Sequence, residues 1–133
     1  MPASRYDIEI EQGATWSLIL SLKKPNTLPV DLTGYTAKCQ IRKTQSDDSD
    51  IIAEPTAEIQ SPPTSGIIIL TLSREVTTDL DFNTAFYDLV VRSADDKVSR
   101  LMRGTVTLSP RVTKWADEMA ESGYSGYSGY SSP

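Results

Sequence analysis

Hydrophobic and polar residues alternate along most of the first 110 positions, as they do in β-strands that turn one face to a core. In the clearest case, TWSLILSLK, one face carries Trp16, Leu18, Leu20 and Leu22. The segments YDIEIE, YTAKCQIRK and TAFYDLVVRS repeat the alternation. About seven such strands, separated by turns rich in Pro, Gly and Asn, predict an all-β fold: an immunoglobulin-like antiparallel β-sandwich.

Single residues predict where these strands bend or end. Pro55 predicts an edge or a break in the weak strand IIAEPTAEIQ, and Gly34 predicts a turn that requires positive φ. Gly104 predicts a bulge in the last strand, and REVTTDLD predicts one helical turn between strands. Tyr87 lies where a tyrosine corner is found in immunoglobulin-like domains. The inward residues of the last strand are expected to be Val98, Met102, Val106 and Leu108.

The pattern changes after Pro110, so three regions are predicted: a β-sandwich domain over 1–110, a short helical extension over 111–121 and a low-complexity Gly-Tyr-Ser tail over 122–133. Thr113 is a candidate N-cap of the short helix and Gly123 a candidate stop.

Composition narrows the classes of function. The net charge of −5 argues against nucleic acid or an anionic membrane as a partner. Histidine is absent, which excludes Ser-His and Cys-His triads, so we expect no enzyme and no cofactor. Cys39 has an inward strand position and is expected to be a buried hydrophobe. The sequence has no apolar run typical of a membrane span or a signal peptide, so we expect synthesis and folding in a cytoplasm.

The loop TQSDDSD is the only carboxylate cluster with metal-like spacing. Its order does not match an EF-hand loop, which requires a Gly at position six and a Glu at position twelve. We therefore expect Asp47, Asp48 and Asp50 to form a solvated loop, with no metal site in the chain.

Apolar residues outside the core pattern are candidates for an interface. Ile67 and Ile69 face away from the core side of the fifth strand, and Phe86 and Val90 do so on the sixth. A contiguous exposed group of this size marks a protein interface, while a loop or the C-terminal extension of the same chain is the alternative cover. Trp115 presents the same two alternatives, burial on its own sandwich or an anchor in a neighbouring subunit.

Three strings carry a resemblance to a known family: YDIEIEQGATWSLILSL, PVDLTGYTAKCQIRK and FYDLVVRSADDKVSRLMRGTVTLSPRVT. Together, over about residues 6–113, they resemble a family of small tailed-phage proteins associated with the tail or baseplate, similar to the N-terminal domain of a phage baseplate upper protein. The resemblance implies a virion structural role, as an adaptor that binds neighbouring tail, baseplate or fibre proteins. Because tails and fibres use threefold and sixfold symmetries, we expect a homo-oligomer, either a trimer or a hexamer. A capsid decoration protein and a carbohydrate- or receptor-binding module are the alternatives.

The C-terminal tail repeats Gly-Tyr-Ser, with Gly at every third position. Three triplets without Pro are too few to hold a collagen-like triple helix alone. We expect an extended peptide that becomes ordered on a neighbour, with a trimeric bundle and a disordered tail as the alternatives. The residues predicted to contact partners are Trp115, Met119, Tyr124, Tyr127, Tyr130, Ile67, Ile69, Phe86 and Val90.

Overall fold

The computed structural model describes residues 3–115, and most of their regular structure is β-strand. The strands are β1 (Ser4–Arg5), β2 (Ile8–Glu11), β3 (Trp16–Ser21), β4 (Thr36–Arg42), β5 (Ile51–Ala53), β6 (Thr56–Ile59), β7 (Ile67–Leu72), β8 (Thr84–Arg92) and β9 (Val98–Ser109). The helical turn predicted between strands is confirmed as the short helix α1 (Arg74–Thr78), and a 3-10 turn covers Pro63–Ser65.

The strands form two sheets, and their order defines the fold. The larger sheet has the order β1-β9-β8-β4-β5, with β2 also paired to β9, and the smaller has the order β3-β7-β6. The adjacent strands β4, β8 and β9 match the C, F and G strands of an immunoglobulin sandwich, and β3, β7 and β6 match B, E and D. The predicted all-β, immunoglobulin-like sandwich is confirmed. Not all of its pairing is antiparallel, because β1 and β2 run parallel to β9.

The core lies between the two sheets and follows the predicted alternation on β4, β7 and β8. Ile41, Leu70 and Leu89 are fully buried, and burying each such side chain contributes about 1.5–3 kcal/mol. Cys39 is buried as predicted, and this burial raises the pKa of its thiol to about 12. The thiol is therefore neutral at physiological pH and acts as a small hydrophobe.

The segment predicted as one weak strand over 51–60 is two strands in different sheets. β5 pairs with β4 on the larger sheet, and β6 pairs with β7 on the smaller one. Pro55, which is buried between them, has no N–H to donate and interrupts the ladder. The break that Pro55 predicted is therefore the point where the chain crosses between the sheets. Together with β1, this break raises the number of strands within residues 3–115 from the expected seven to nine.

The bulge of β9 is at Leu101, not at Gly104 as predicted. Leu89 pairs with Met102 and the next residue, Val90, pairs with Arg100, so Leu101 is the extra residue. For every residue of β9 before the bulge, the inward and outward positions are exchanged relative to a regular strand. Val98, expected to face inward, is therefore 62% exposed. Met102, Val106 and Leu108 are buried as predicted.

Gly104 has a different role, because the N-terminal segment passes directly over it. A Cβ on Gly104 would overlap the carbonyl oxygen of Tyr6 and lie 2.9 Å from Oδ1 of Asp7. The hydroxyl of Tyr87 donates to that same carbonyl at 2.6 Å, and Asp7 Oδ1 accepts from the N–H of Thr105 at 3.0 Å. Tyr87 therefore does not form a tyrosine corner, whose hydroxyl bonds a few residues upstream. It ties the N-terminal strand to the sheet.

The motif Gln12-Gly13-Ala14 is bonded to α1 through one fully buried threonine. Thr77 Oγ1 accepts from the N–H of Gly13 at 3.1 Å and donates to the carbonyl of Ala14 at 2.8 Å. The side chain of Gln12 donates to the carbonyl of Leu80 at 3.0 Å. These bonds give the turn a structural role in the sandwich.

The motif Asp31-Leu32-Thr33-Gly34 is also a built turn. Asp31 Oδ1 accepts from both the N–H and the hydroxyl of Thr33, and these bonds hold the pKa of Asp31 below its ordinary value. Gly34 has a φ of +80°, which confirms the predicted turn, and Leu32 is buried at 2% exposure. Two of the three strings of the resemblance therefore contain turns that are held by specific hydrogen bonds.

The described chain beyond β9 has no helix over 111–115. The rest of the predicted helical extension and the whole predicted tail lie outside the described residues. Within residues 3–115, no helix has the length and hydropathy needed to cross a membrane.

Candidate partner-binding face

The outward face of the larger sheet carries six cations, although the chain as a whole is acidic. The register places its outward side chains in rows across β4, β8 and β9: Arg42 with Phe86, Gln40 with Asp88, and Lys38 with Val90. On the other side of β8, Asp88 pairs with Arg103 and Val90 with Arg100. The only carboxylate of these central rows is Asp88. We call this surface the basic face, and its cations are Arg5, Lys38, Arg42, Arg92, Arg100 and Arg103.

The bulge at Leu101 concentrates this charge. Residues three apart on a regular strand point to opposite faces. Because Leu101 is the extra residue, Arg100 and Arg103 instead lie on the same side of the sheet. Their cross-strand partners on β8 are Val90 and Asp88. A local irregularity of β9 therefore contributes two cations to one surface.

The floor of the basic face is partly apolar. Phe86 and Val90 are half-buried along β8. Two shallow grooves of about 350 and 440 Å³ adjoin there and share Gln40 and Asp88 in their linings. The loop over 43–50 walls one end, where Thr44 N–H donates to Ser49 Oγ at 2.8 Å. An apolar floor with charged rims fits a peptide that has both apolar and acidic side chains.

Four of the six cations of the basic face form exposed ion pairs with carboxylates of their own chain. Arg5 lies 3.4 Å from Asp7, and Arg92 lies 3.9 Å from Asp96. Arg100 lies 3.7 Å from Asp88, and Lys38 lies 3.7 Å from Glu54. These pairs are exposed, and surface ion pairs of this kind contribute about 0–1 kcal/mol. Within the described residues the guanidinium of Arg103 makes no ion pair or hydrogen bond. These cations can therefore pair with a partner's carboxylates at little cost.

The four apolar residues predicted as one patch do not lie together. Phe86 and Val90 are on the outward face of the larger sheet, whereas Ile67 and Ile69 are on β7 in the smaller sheet, on the opposite side of the sandwich. Ile69 pairs there with Ile19, which is 66% exposed. The predicted contiguity is therefore wrong, because it joined neighbouring strands of the sequence that belong to different sheets.

The remaining residues predicted to bind partners or considered as metal ligands lie at or beyond the C-terminal end of the described chain, or in the acidic loop. Trp115 is 67% exposed, so the described sandwich does not bury it. Met119, Tyr124, Tyr127 and Tyr130 lie outside the described residues. Within residues 3–115, no three or more Asp, Glu or Cys side chains, those of Asp47, Asp48 and Asp50 included, are arranged as a group that could hold a metal ion.

Sequence reasoning missed the cations because it used the total charge and strict alternation. Lys38 and Arg42 follow the outward period of β4 and were identifiable. The shared side of Arg100 and Arg103 was not, because nothing in SRLMRG marks Leu101 as the bulged residue.

The fold and this face define an immunoglobulin-like β-sandwich with a basic outer sheet surface. No family model and no curated protein matches the sequence. Among solved structures, CopC from Methylosinus trichosporium OB3b is similar with 14% identity and a TM-score of 0.43, over 80% of this chain and 89% of that chain. A chicken TCR is similar with 13% identity and a TM-score of 0.49, over 85% of this chain and 56% of that chain. The fold assignment rests on the strand order.

Proposed function

We propose that this protein is a bacteriophage virion structural protein, a tail or baseplate adaptor that holds neighbouring tail or fibre proteins through the basic face. The observation that carries the proposal is the surface along β8, where Phe86 and Val90 form an apolar floor among six cations. Its chemistry is binding, through desolvated apolar contacts and charge pairing with an acidic segment.

The resemblance to phage tail and baseplate proteins supports the location. The strings that carry it include the Gln12-Gly13-Ala14 turn and the Asp31–Gly34 turn, which organise the sandwich. They also include most of β8 and all of β9, which present the basic face.

Charge reversal on the basic face tests the proposal. We expect Arg100→Glu/Arg103→Glu to lower the amount of this protein in purified phage particles by at least about tenfold, because like charges at an interface cost several kcal/mol. The matched control is Lys23→Glu/Lys24→Glu, which makes the same change in charge at exposed residues after β3.

The control should enter particles at the normal level. Normal incorporation of a folded Arg100→Glu/Arg103→Glu variant would refute the basic face as the binding surface. Recovery of the protein on heads rather than tails would refute the location.

A further inference from the structure

We propose that the basic face binds the acidic segment 115–121 of a second copy of this chain, so that the copies associate face to segment. This inference rests on the proposed function and names the partner of the same surface. The segment that occupies the basic face would then belong to the same protein.

The two surfaces are complementary in charge. The segment after the sandwich reads WADEMAE, in which Asp117, Glu118 and Glu121 are the charged residues. All three are acidic, whereas the central rows of the basic face contain one carboxylate, Asp88. Arg103 has no side-chain partner within the described residues and is the cation most available to an incoming carboxylate.

The two surfaces are also complementary in apolar content. The segment contains Trp115 and Met119, and Trp is among the residue types most enriched in binding hot spots. The basic face supplies Phe86 and Val90 as half-buried floor residues between the charged rims. A ring or thioether seated on that floor would lose water from both sides, which favours binding.

The position of Trp115 favours a second copy over the same chain. Trp115 is 67% exposed in the single chain, so it is not seated in the grooves of its own sandwich. The described chain leaves β9 beside the turn after β2, where Arg111 N–H donates to Gln12 Oε1 at 3.1 Å. Trp115 is therefore exposed and does not line either groove of its own sandwich.

Association of this kind has a defined geometry. The face of one copy contacts the segment of the next, so the interface is heterologous. Such interfaces generate a closed ring when the rotation between copies closes. A trimer or hexamer, as expected for a phage tail component, can be built in this way.

Sedimentation velocity of the full chain and its variants tests the proposal. We expect the wild-type chain to associate as its concentration rises, and to dissociate when salt is raised from about 0.05 M to about 0.5 M, because salt screens exposed charges. Arg100→Glu/Arg103→Glu should remain monomeric, and so should Asp117→Lys/Glu118→Lys. The control Lys23→Glu/Lys24→Glu should associate like the wild type.

Mixing the two monomeric variants is the decisive step. Each then offers the other a matching pair: an intact acidic segment meets an intact basic face, and a reversed segment meets a reversed face. We expect the mixture to associate, which simple loss of folding in either variant could not produce. Arg103→Gln, which removes charge without reversing it, should weaken association by about tenfold, as loss of one charge pair does.

Three outcomes would overturn the inference. A wild-type chain that stays monomeric at low salt would do so, and so would a mixture that stays monomeric. Binding of a labelled single-stranded oligonucleotide to the face, without self-association, would assign the surface to a nucleic acid instead. If the chain is monomeric while charge reversal still blocks incorporation into particles, the proposed function stands and only the second copy is excluded.

Discussion

Replacing Gly104 with alanine is expected to lower the free energy of unfolding by about 3 kcal/mol, from steric overlap and a weakened hydrogen bond. The added Cβ would overlap the carbonyl oxygen of Tyr6 and lie 2.8 Å from its carbon. The N-terminal strand must then move away from β9. The hydroxyl of Tyr87 loses the partner that it now holds at 2.6 Å. Urea denaturation of the purified variant measures the change.

Two further variants separate the contributions. Tyr87→Phe removes only the hydroxyl and should cost about 1 kcal/mol. Thr107→Ala, at an exposed position of the same strand, should change stability by no more than about 0.5 kcal/mol. A Gly104→Ala variant as stable as Thr107→Ala would contradict the close passage of the N-terminal segment.

Replacing Thr77 with valine is expected to cost about 2–4 kcal/mol, because two backbone groups lose their partner without a change in side-chain shape. The Oγ1 of Thr77 accepts from the N–H of Gly13 and donates to the carbonyl of Ala14. Thr77 is fully buried, so water cannot replace either bond without rearrangement. Thermal melting of the variant measures the loss.

The neighbouring threonine is a matched control. Thr78 Oγ1 donates to the carbonyl of Arg74, within the same helix, and does not reach the turn after β2. We expect Thr78→Val to cost less than about 1 kcal/mol. Equal losses for the two variants would show that the buried link between α1 and that turn is not what stabilises this corner.

Strand positions could be predicted because one face of each strand is buried. Trp16, Leu18 and Leu20 mark β3, and Ile68 and Leu70 mark β7, through side chains that must leave water. The same period cannot show which sheet a strand joins. This is why Ile69 and Phe86 were assigned to one surface and lie on opposite ones.

Two local features could not be predicted from the two-residue alternation of hydrophobic and polar positions alone. The bulge at Leu101 depends on the register with β8, which is a long-range pairing. Gly104 and Tyr87 have their roles because the chain near Tyr6 passes over β9, almost one hundred positions away in the sequence. Pro55, in contrast, acts through its own missing N–H, and its effect was predictable from the sequence.

The basic face also depends partly on local alternation and partly on the long-range register of β9. Lys38 and Arg42 are set by alternation on β4, whereas Arg100 and Arg103 share a side only because of the bulge. An acidic chain can therefore present a basic surface when its acidic side chains are distributed over loops and other faces. Total charge alone does not predict the charge of one face of a sheet.

We propose that the outward face of the larger sheet binds a partner in the particle. The most direct measurement places a photo-crosslinking amino acid at Phe86 or, as the matched control, at Ile69 on the opposite face. Crosslinked peptides from irradiated, purified particles are then identified by mass spectrometry. We expect crosslinks from position 86 to a virion protein or to residues 115–121 of another copy, and few from position 69. Crosslinks from position 69 with none from position 86 would contradict it.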